Sequence, residues 1–99
     1  MAFTIKWAES AYEDLKEIFQ YIALDNPDAA AKLADRIIYH IELASEYPFS
    51  NRVVPEKGED LIRETILKPY RIIYSIDNSL KTIHVLRIWN SYRGIPVIE

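Results

Sequence analysis

Apolar and polar side chains alternate from Phe3 to Trp7, a period of two that predicts a strand with Phe3, Ile5 and Trp7 on its covered face. The period then lengthens. Ala11, Leu15, Ile18, Phe19 and Ile22 recur at three- and four-residue spacing and predict an amphipathic helix ending near Leu24, with Glu13, Asp14, Lys16, Glu17 and Gln20 off the stripe. Ser10 and Glu13 have the spacing of a capping box, so the helix is expected to begin there. Asn26-Pro27 supplies the next start, because an Asn side chain can accept from an unbonded helix N–H and proline lacks the N–H that the first turn leaves unpaired. The second helix is predicted over about Pro27 to Glu46, with Ala30, Leu33, Ala34, Ile37, Ile41 and Ala44 as its core stripe. So short a connection predicts an antiparallel helix pair.

From Tyr47-Pro48 onward the pattern changes again. Phe49 to Asp60 reads as a polar loop containing Pro55 and Gly58. Three strands are predicted beyond it, Leu61 to Leu67, Tyr70 to Ile76 and Lys81 to Trp89, the second of them central and with Tyr70, Ile72, Tyr74 and Ile76 on one face. Asp77-Asn78-Ser79-Leu80 has turn composition, so the last two strands form a hairpin. Pairing Ile76 with Lys81 would set Tyr74 opposite Ile83, Ile72 opposite Val85 and Tyr70 opposite Arg87, unless a bulge moves the register. The fold class is α+β: a strand, an antiparallel helical hairpin and a three-stranded antiparallel meander, with two helices on one face of a small sheet. The opposite face is expected to be open to a ligand or partner.

Length and composition narrow this only a little. With 99 residues, 49% of them hydrophobic, and two glycines, the chain suits one domain over 1–99 with a single core. There is no cysteine, so neither a disulfide nor a thiolate metal site is available. His40 and His84 fall in different elements without a second ligand at metal-binding spacing, and no metal is expected. Gly58 and Gly94 stand alone, which excludes a glycine-rich phosphate loop, and no cofactor is expected. No basic leader precedes an apolar stretch, and no segment approaches the roughly 20 apolar residues that cross a bilayer. A soluble, cytoplasmic protein without a membrane partner is expected.

Charge adds more. The net charge is −3, yet residues 1–51 carry four Lys/Arg against nine Asp/Glu, whereas residues 61–98 carry six Lys/Arg against Glu64 and Asp77. The C-terminal strands therefore bring together Arg63, Arg71, Arg87 and Arg93 with Tyr92. Arginine's planar fork grips phosphate at two points and keeps its proton, and tyrosine offers a stacking face and a hydroxyl. That combination suits RNA or a phosphorylated transition state, with Arg71, Arg87 and Tyr92 as candidate catalytic residues. Metal-independent RNA cleavage also needs an acid–base pair, for which Glu64 or Tyr92 are the candidates. The alternative reading makes Arg71 and Arg87 sheet residues that balance neighbouring carboxylates. Tyr47, Phe49, Trp89 and the tail Ile95-Pro96-Val97-Ile98 are more apolar than a small exterior needs, and either receive a partner segment or pack back onto the sheet.

The ordered set Phe3-x-Ile5-x-Trp7, Ala8-Glu9-Ser10-Ala11-x-x-Asp14-Leu15, Tyr21-Ile22-Ala23 and Asn26-Pro27-x-Ala29-Ala30 resembles the RelE/ParE superfamily of type II toxin–antitoxin toxins. Pro48, Arg52-Val53-Val54-Pro55-Glu56, Ile62-Arg63-Glu64, Tyr70-Arg71-Ile72-Ile73-Tyr74 and Ile83-x-Val85-Leu86-Arg87-Ile88 continue the match over residues 3 to 93. The long helical hairpin and the Arg-Glu strand make the ParE-like branch the nearer one. The resemblance implies a growth-inhibiting toxin of a plasmid-stabilisation system, bound by a cognate antitoxin as a hetero-oligomer or present as a homodimer. Its implied target is DNA gyrase. The RelE-like alternative is an mRNA interferase acting on the ribosome, and a third is an inactive binding module. Carried over by position, Arg63, Arg71 and Arg87 match basic positions, Arg93 closes the pattern, and Arg63, Arg93 and Trp89 are the candidate binding residues. Asn90-Ser91-Tyr92-Arg93 stands where the family often has His-x-x-Arg or a basic tail, a departure that favours the gyrase reading over RNA cleavage.

Overall fold

A computed structural model describes residues 2–98. The elements run β1 (Thr4–Trp7), α1 (Glu9–Ala23), α2 (Pro27–Glu46), β2 (Arg52–Val53), β3 (Ile62–Leu67), β4 (Tyr70–Asp77) and β5 (Thr82–Asn90), followed by a short 3-10 turn at Ser91–Arg93. The five strands lie in the order β1-β5-β4-β3-β2, so β4 is central. β1 runs parallel to β5 and every other neighbour is antiparallel. The helical hairpin covers one face. Ala11, Ile37 and Ile41 meet Ile72, Val85 and Ile88 there, with Ile5, Trp7, Leu15, Ile18 and Leu33 packed around them. Ala44, Tyr74, Ile76 and Ile83 extend the same layer beside Phe3. Ala11, Ala30 and Ala44 are buried, and their small side chains let the two helices and the sheet approach closely.

Local chemistry sets the helix ends. The Asn26 side chain accepts from Ala29 N–H at 3.1 Å and Pro27 opens α2, as the spacing predicts. α1 differs: it starts at Glu9, after extended Ala8, and has no side-chain cap. Ser10 instead donates its hydroxyl to the Leu86 carbonyl at 2.9 Å, tying the helix start to β5 rather than capping it. Phe19, placed on the core stripe by periodicity, is 40% exposed, and Asp14, placed off it, is buried.

The polar loop at 49–60 contains a strand the periodicity does not reveal, since Arg52–Val53 pairs with Arg63 and Glu64 over two residues only. The β4–β5 register also departs from expectation. Asp77 pairs with Thr82, Ile76 with Ile83 and Tyr74 with Val85, after which a bulge at Leu86 sets Ile73 opposite Arg87 and Tyr70 opposite Asn90. The turn is wider than its composition suggests because the Asp77 carboxylate accepts from Leu80 N–H and the Ser79 hydroxyl, and Lys81 takes a positive φ of 50° to enter β5.

The second sheet face is not bare. Val54, Ile73 and Trp89 form a small core there, with Ile62, Leu86 and Ile98 against it. Pro96 is buried, and Gly94 accepts from the Trp89 indole at 3.1 Å, so the tail packs back on the sheet although Ile95 and Val97 stay exposed. Buried Tyr74 anchors the loop before β2 by donating to the Pro48 carbonyl at 2.6 Å and accepting from the Asn51 amide at 3.0 Å. Tyr74→Phe is expected to lower stability by about 1–2 kcal/mol in a urea melt, because Pro48 C=O then loses its buried donor.

Candidate functional site

Arg63, Arg71 and Arg87 extend from the sheet and Arg93 from the turn that follows it, and most of their charge is already answered. Arg71 extends from central β4 and is 8% exposed. Its Nε donates to Glu64 Oε1 at 2.7 Å, while Nη1 and Nη2 grip both oxygens of Glu56 at 3.0 and 2.7 Å. Glu64 lies one strand over, its side chain fully buried, and its second oxygen accepts from Arg52 Nε. The result is a chain of alternating charges, Arg52–Glu64–Arg71–Glu56, with strands holding its middle members and a loop holding its last.

The Arg71 guanidinium draws the Glu56 carboxyl from 4.5 down to about 2, and the backbone amide of Glu56 adds to the effect. Arg71 is raised in turn, first by that carboxylate and then by Glu64. Glu56 therefore contributes stability fully above about 4.5 and loses that contribution as pH falls towards about 2, since the unfolded chain takes up the proton first. Glu56→Gln is accordingly expected to be less stable than the parent at neutral pH, and the gap in urea melts is expected to close in that acid window.

Arg87 forms a second closed pair. Its Nε and Nη2 meet the two oxygens of Asp14 at 2.7 and 2.8 Å, and Nη1 donates to the Val97 carbonyl at 3.0 Å. Because β1 ends at Trp7 opposite Val85, the rest of β5 is a sheet edge, and α1 covers it from the side. Asp14 accepts from Ile88 N–H at 3.0 Å while Ser10 donates to Leu86, so one helix face satisfies the strand groups that β1 leaves unpaired. Two guanidinium groups lie over the Trp89 ring, Arg87 at 4.9 Å and Arg93 at 4.1 Å from its centre. Arg63 is a clamp: it donates to the carbonyls of Asp60, Phe49 and Asn51, pairs with the Asp60 carboxylate at 2.7 Å and lies over the Phe49 ring.

The candidate residues thus divide into separate groups. Arg71 opens onto a hollow of about 740 Å³ that also involves Arg52, Lys68 and Tyr92. Arg87, Trp89 and Arg93 form a neighbouring cluster along β5, and Arg63 is committed to the loop on the far side of β3. Tyr92 is 89% exposed, and Glu64, considered for acid–base work, has both oxygens occupied. Two residues with large electrostatic roles escaped the sequence reading. Asp14 follows Ala11 by three and precedes Ile18 by four, a helical spacing that fits the core stripe from which its charge set it apart. Glu56 carried no such signal, since only folding brings the loop to Arg71.

Among the described residues no group of three His, Asp or Glu side chains gathers to hold a metal ion. No helix among them is long and apolar enough to cross a membrane.

Known proteins resemble the chain in sequence and in fold. Y4kP of Sinorhizobium fredii, named as a candidate toxin, is 37% identical over 96 residues, covering 95% of this chain and 94% of that protein. The chromosomal ParDE system of P. aeruginosa superposes with a TM-score of 0.71 at 23% identity, covering 90% of this chain and 96% of that one. The RelBE2 toxin–antitoxin complex of Mycobacterium tuberculosis gives 0.64 at 18% identity, with 91% and 99% covered. An arginine double mutant of E. coli RelE in the free state gives 0.61 at 12% identity, with 95% and 88% covered. At those identities the three structures speak for the fold alone. The family described as the ParE toxin of the type II toxin–antitoxin system parDE matches residues 5–93, and with that extent of agreement the chain belongs to the ParE toxin family.

Proposed function

We propose that this type II toxin arrests growth by binding a protein target, DNA gyrase, rather than by cutting RNA, and that a cognate antitoxin binds and neutralises it. The observation that supports this is the neutralisation of Arg71 and Arg87. Each guanidinium is held at two points by a carboxylate, and Glu64, the carboxylate beside Arg71 considered for proton transfer, is locked between two arginines. A phosphate-cleaving centre requires cations open to the developing charge and a titrating group within reach of the attacking hydroxyl. Surface recognition of a folded target has neither requirement. Added to purified gyrase, the chain is expected to abolish supercoiling, and the antitoxin encoded beside it is expected to restore it. Unchanged supercoiling at saturating toxin would reject the reading.

One observation favours the ribosome-dependent mRNA endonuclease instead. The exposed Tyr92 stands beside Arg52 and Lys68 at the rim of the hollow under Arg71, a stacking face next to cations. Mapping transcript ends after induction separates the two readings: cuts at fixed codon positions belong to the nuclease, and intact transcripts with a DNA-damage response belong to gyrase.

A further inference from the structure

Glu56 and Glu64 both pair with Arg71, but the two carboxylates are held very differently. Glu64 belongs to β3, has no side-chain exposure and serves two arginines at once. Glu56 lies in the turn between Val54 and Asp60, its side chain is 31% exposed, and among the described residues its carboxylate bonds no side chain but Arg71. Rotation of the Glu56 side chain into water would uncover the Nη1–Nη2 edge of a guanidinium that Glu64 and β4 keep in place. That edge is the fork that receives carboxylate and phosphate alike.

The surroundings carry more positive charge than Arg71 needs for its carboxylates. Arg52 spends only Nε on Glu64, and 58% of its side chain is exposed. Lys68 is exposed and makes no ion pair among the described residues. Both border the same open hollow as Arg71, and the Tyr92 ring stands at its rim. With Glu56 seated, three cations face two carboxylates; with Glu56 withdrawn, the hollow gains a second net positive charge and a vacant two-point donor.

We propose that Arg52, Lys68 and Arg71 form a binding site for a phosphate group, and that Glu56 occupies it as an internal competitor that a phosphate ligand must displace. The source of the phosphate is either a monoester, as in a nucleotide, or the diester backbone of a nucleic acid. The endonuclease reading would use this same hollow, and what is added to it here is the carboxylate that keeps the hollow closed; with gyrase as the target, the phosphate site is a second property of the chain.

An intramolecular carboxylate competes at a high effective concentration, so the parent chain is expected to bind inorganic phosphate weakly. At fixed ionic strength, calorimetric titration of Glu56→Gln with inorganic phosphate is expected to show affinity stronger than the parent by on the order of tenfold or more. Adding Lys68→Gln to that variant is expected to remove much of the gain, which assigns it to this hollow. Adenosine monophosphate and a short single-stranded RNA titrated in parallel distinguish the sources: a larger gain for the monophosphate indicates the monoester, and a larger gain for the RNA indicates the backbone. Glu56→Asp, which retains the charge on a shorter arm and spares the fold if Glu56→Gln does not, is expected to bind phosphate better than the parent. No gain in a folded Glu56 variant, or a gain unaffected by Lys68→Gln, would overturn the proposal.

Discussion

Glu64→Ala is expected to destabilise the chain by about 3–5 kcal/mol, a large share of the roughly 5–15 kcal/mol that holds a domain of this kind together. The carboxylate is buried and divides its oxygens between Arg52 and Arg71. Its removal leaves Arg71, itself 8% exposed, with Glu56 as its only carboxylate and with Nε unpaired. Arg52 costs less, because more than half of its side chain already meets water. Much of the penalty is therefore the desolvation of one stranded cation rather than the net worth of the ion pair. The double variant Glu64→Leu with Arg71→Met separates the two contributions, since it removes the buried cation together with its partner and leaves Arg52 and Glu56 free to hydrate. It is expected to recover a substantial part of the loss in urea melts analysed as a double-mutant cycle. Additive losses from the two single variants would mean that Arg71 and Glu64 do not act as a unit.

The same residues show what a one-dimensional pattern can and cannot convey. Asn26-Pro27 announces a helix start through chemistry contained within four positions, and both helices and four of the strands follow from period and composition. Non-local pairing has no such local signature. Nothing in Phe3–Trp7 says that it runs parallel to β5, and the two residues of β2 are too few to show an alternation. The hairpin register was missed by two positions because an Asp77 side chain, rather than the turn backbone alone, sets the width of the connection, and the bulge at Leu86 then moves Arg87 opposite Ile73. At the candidate site the cations were legible, and Arg71 and Arg87 as balanced sheet residues was one of the two readings open to them. Their partners were not legible. Asp14 and Arg87 are separated by 73 positions, and Glu56 reaches Arg71 from a loop. Glu64 did leave a trace, since it alternates with Ile62 and Ile66 on β3 and so shares their face with an apolar pair.

Asp14→Ala is expected to cost about 3–4 kcal/mol, far more than is usual for an acidic residue on an amphipathic surface helix. One carboxylate satisfies three donors: two from Arg87 and the N–H of Ile88 on the part of β5 that β1 does not reach. Alanine leaves that backbone N–H buried beneath α1 without its acceptor and takes from Arg87 the partner that holds its fork over the strand edge. Asn in place of Asp keeps an oxygen for Ile88 but turns an NH2 towards a guanidinium, so Asp14→Asn is expected to retain only a minor part of the stability. Glu13 and Glu17 flank the site on the exposed side of the same helix, and alanine at either is expected to change stability by no more than about 0.5 kcal/mol. Because the pair is largely shielded from solvent, the Asp14 effect is expected to persist at high salt, where a surface ion pair fades. Chemical denaturation of the three alanine variants at low and high salt reads all of this directly. A small, salt-sensitive loss for Asp14→Ala would mean that Arg87 is held chiefly by Trp89 and the tail carbonyl, and the strand edge would then owe its closure to Ser10 rather than to the buried carboxylate.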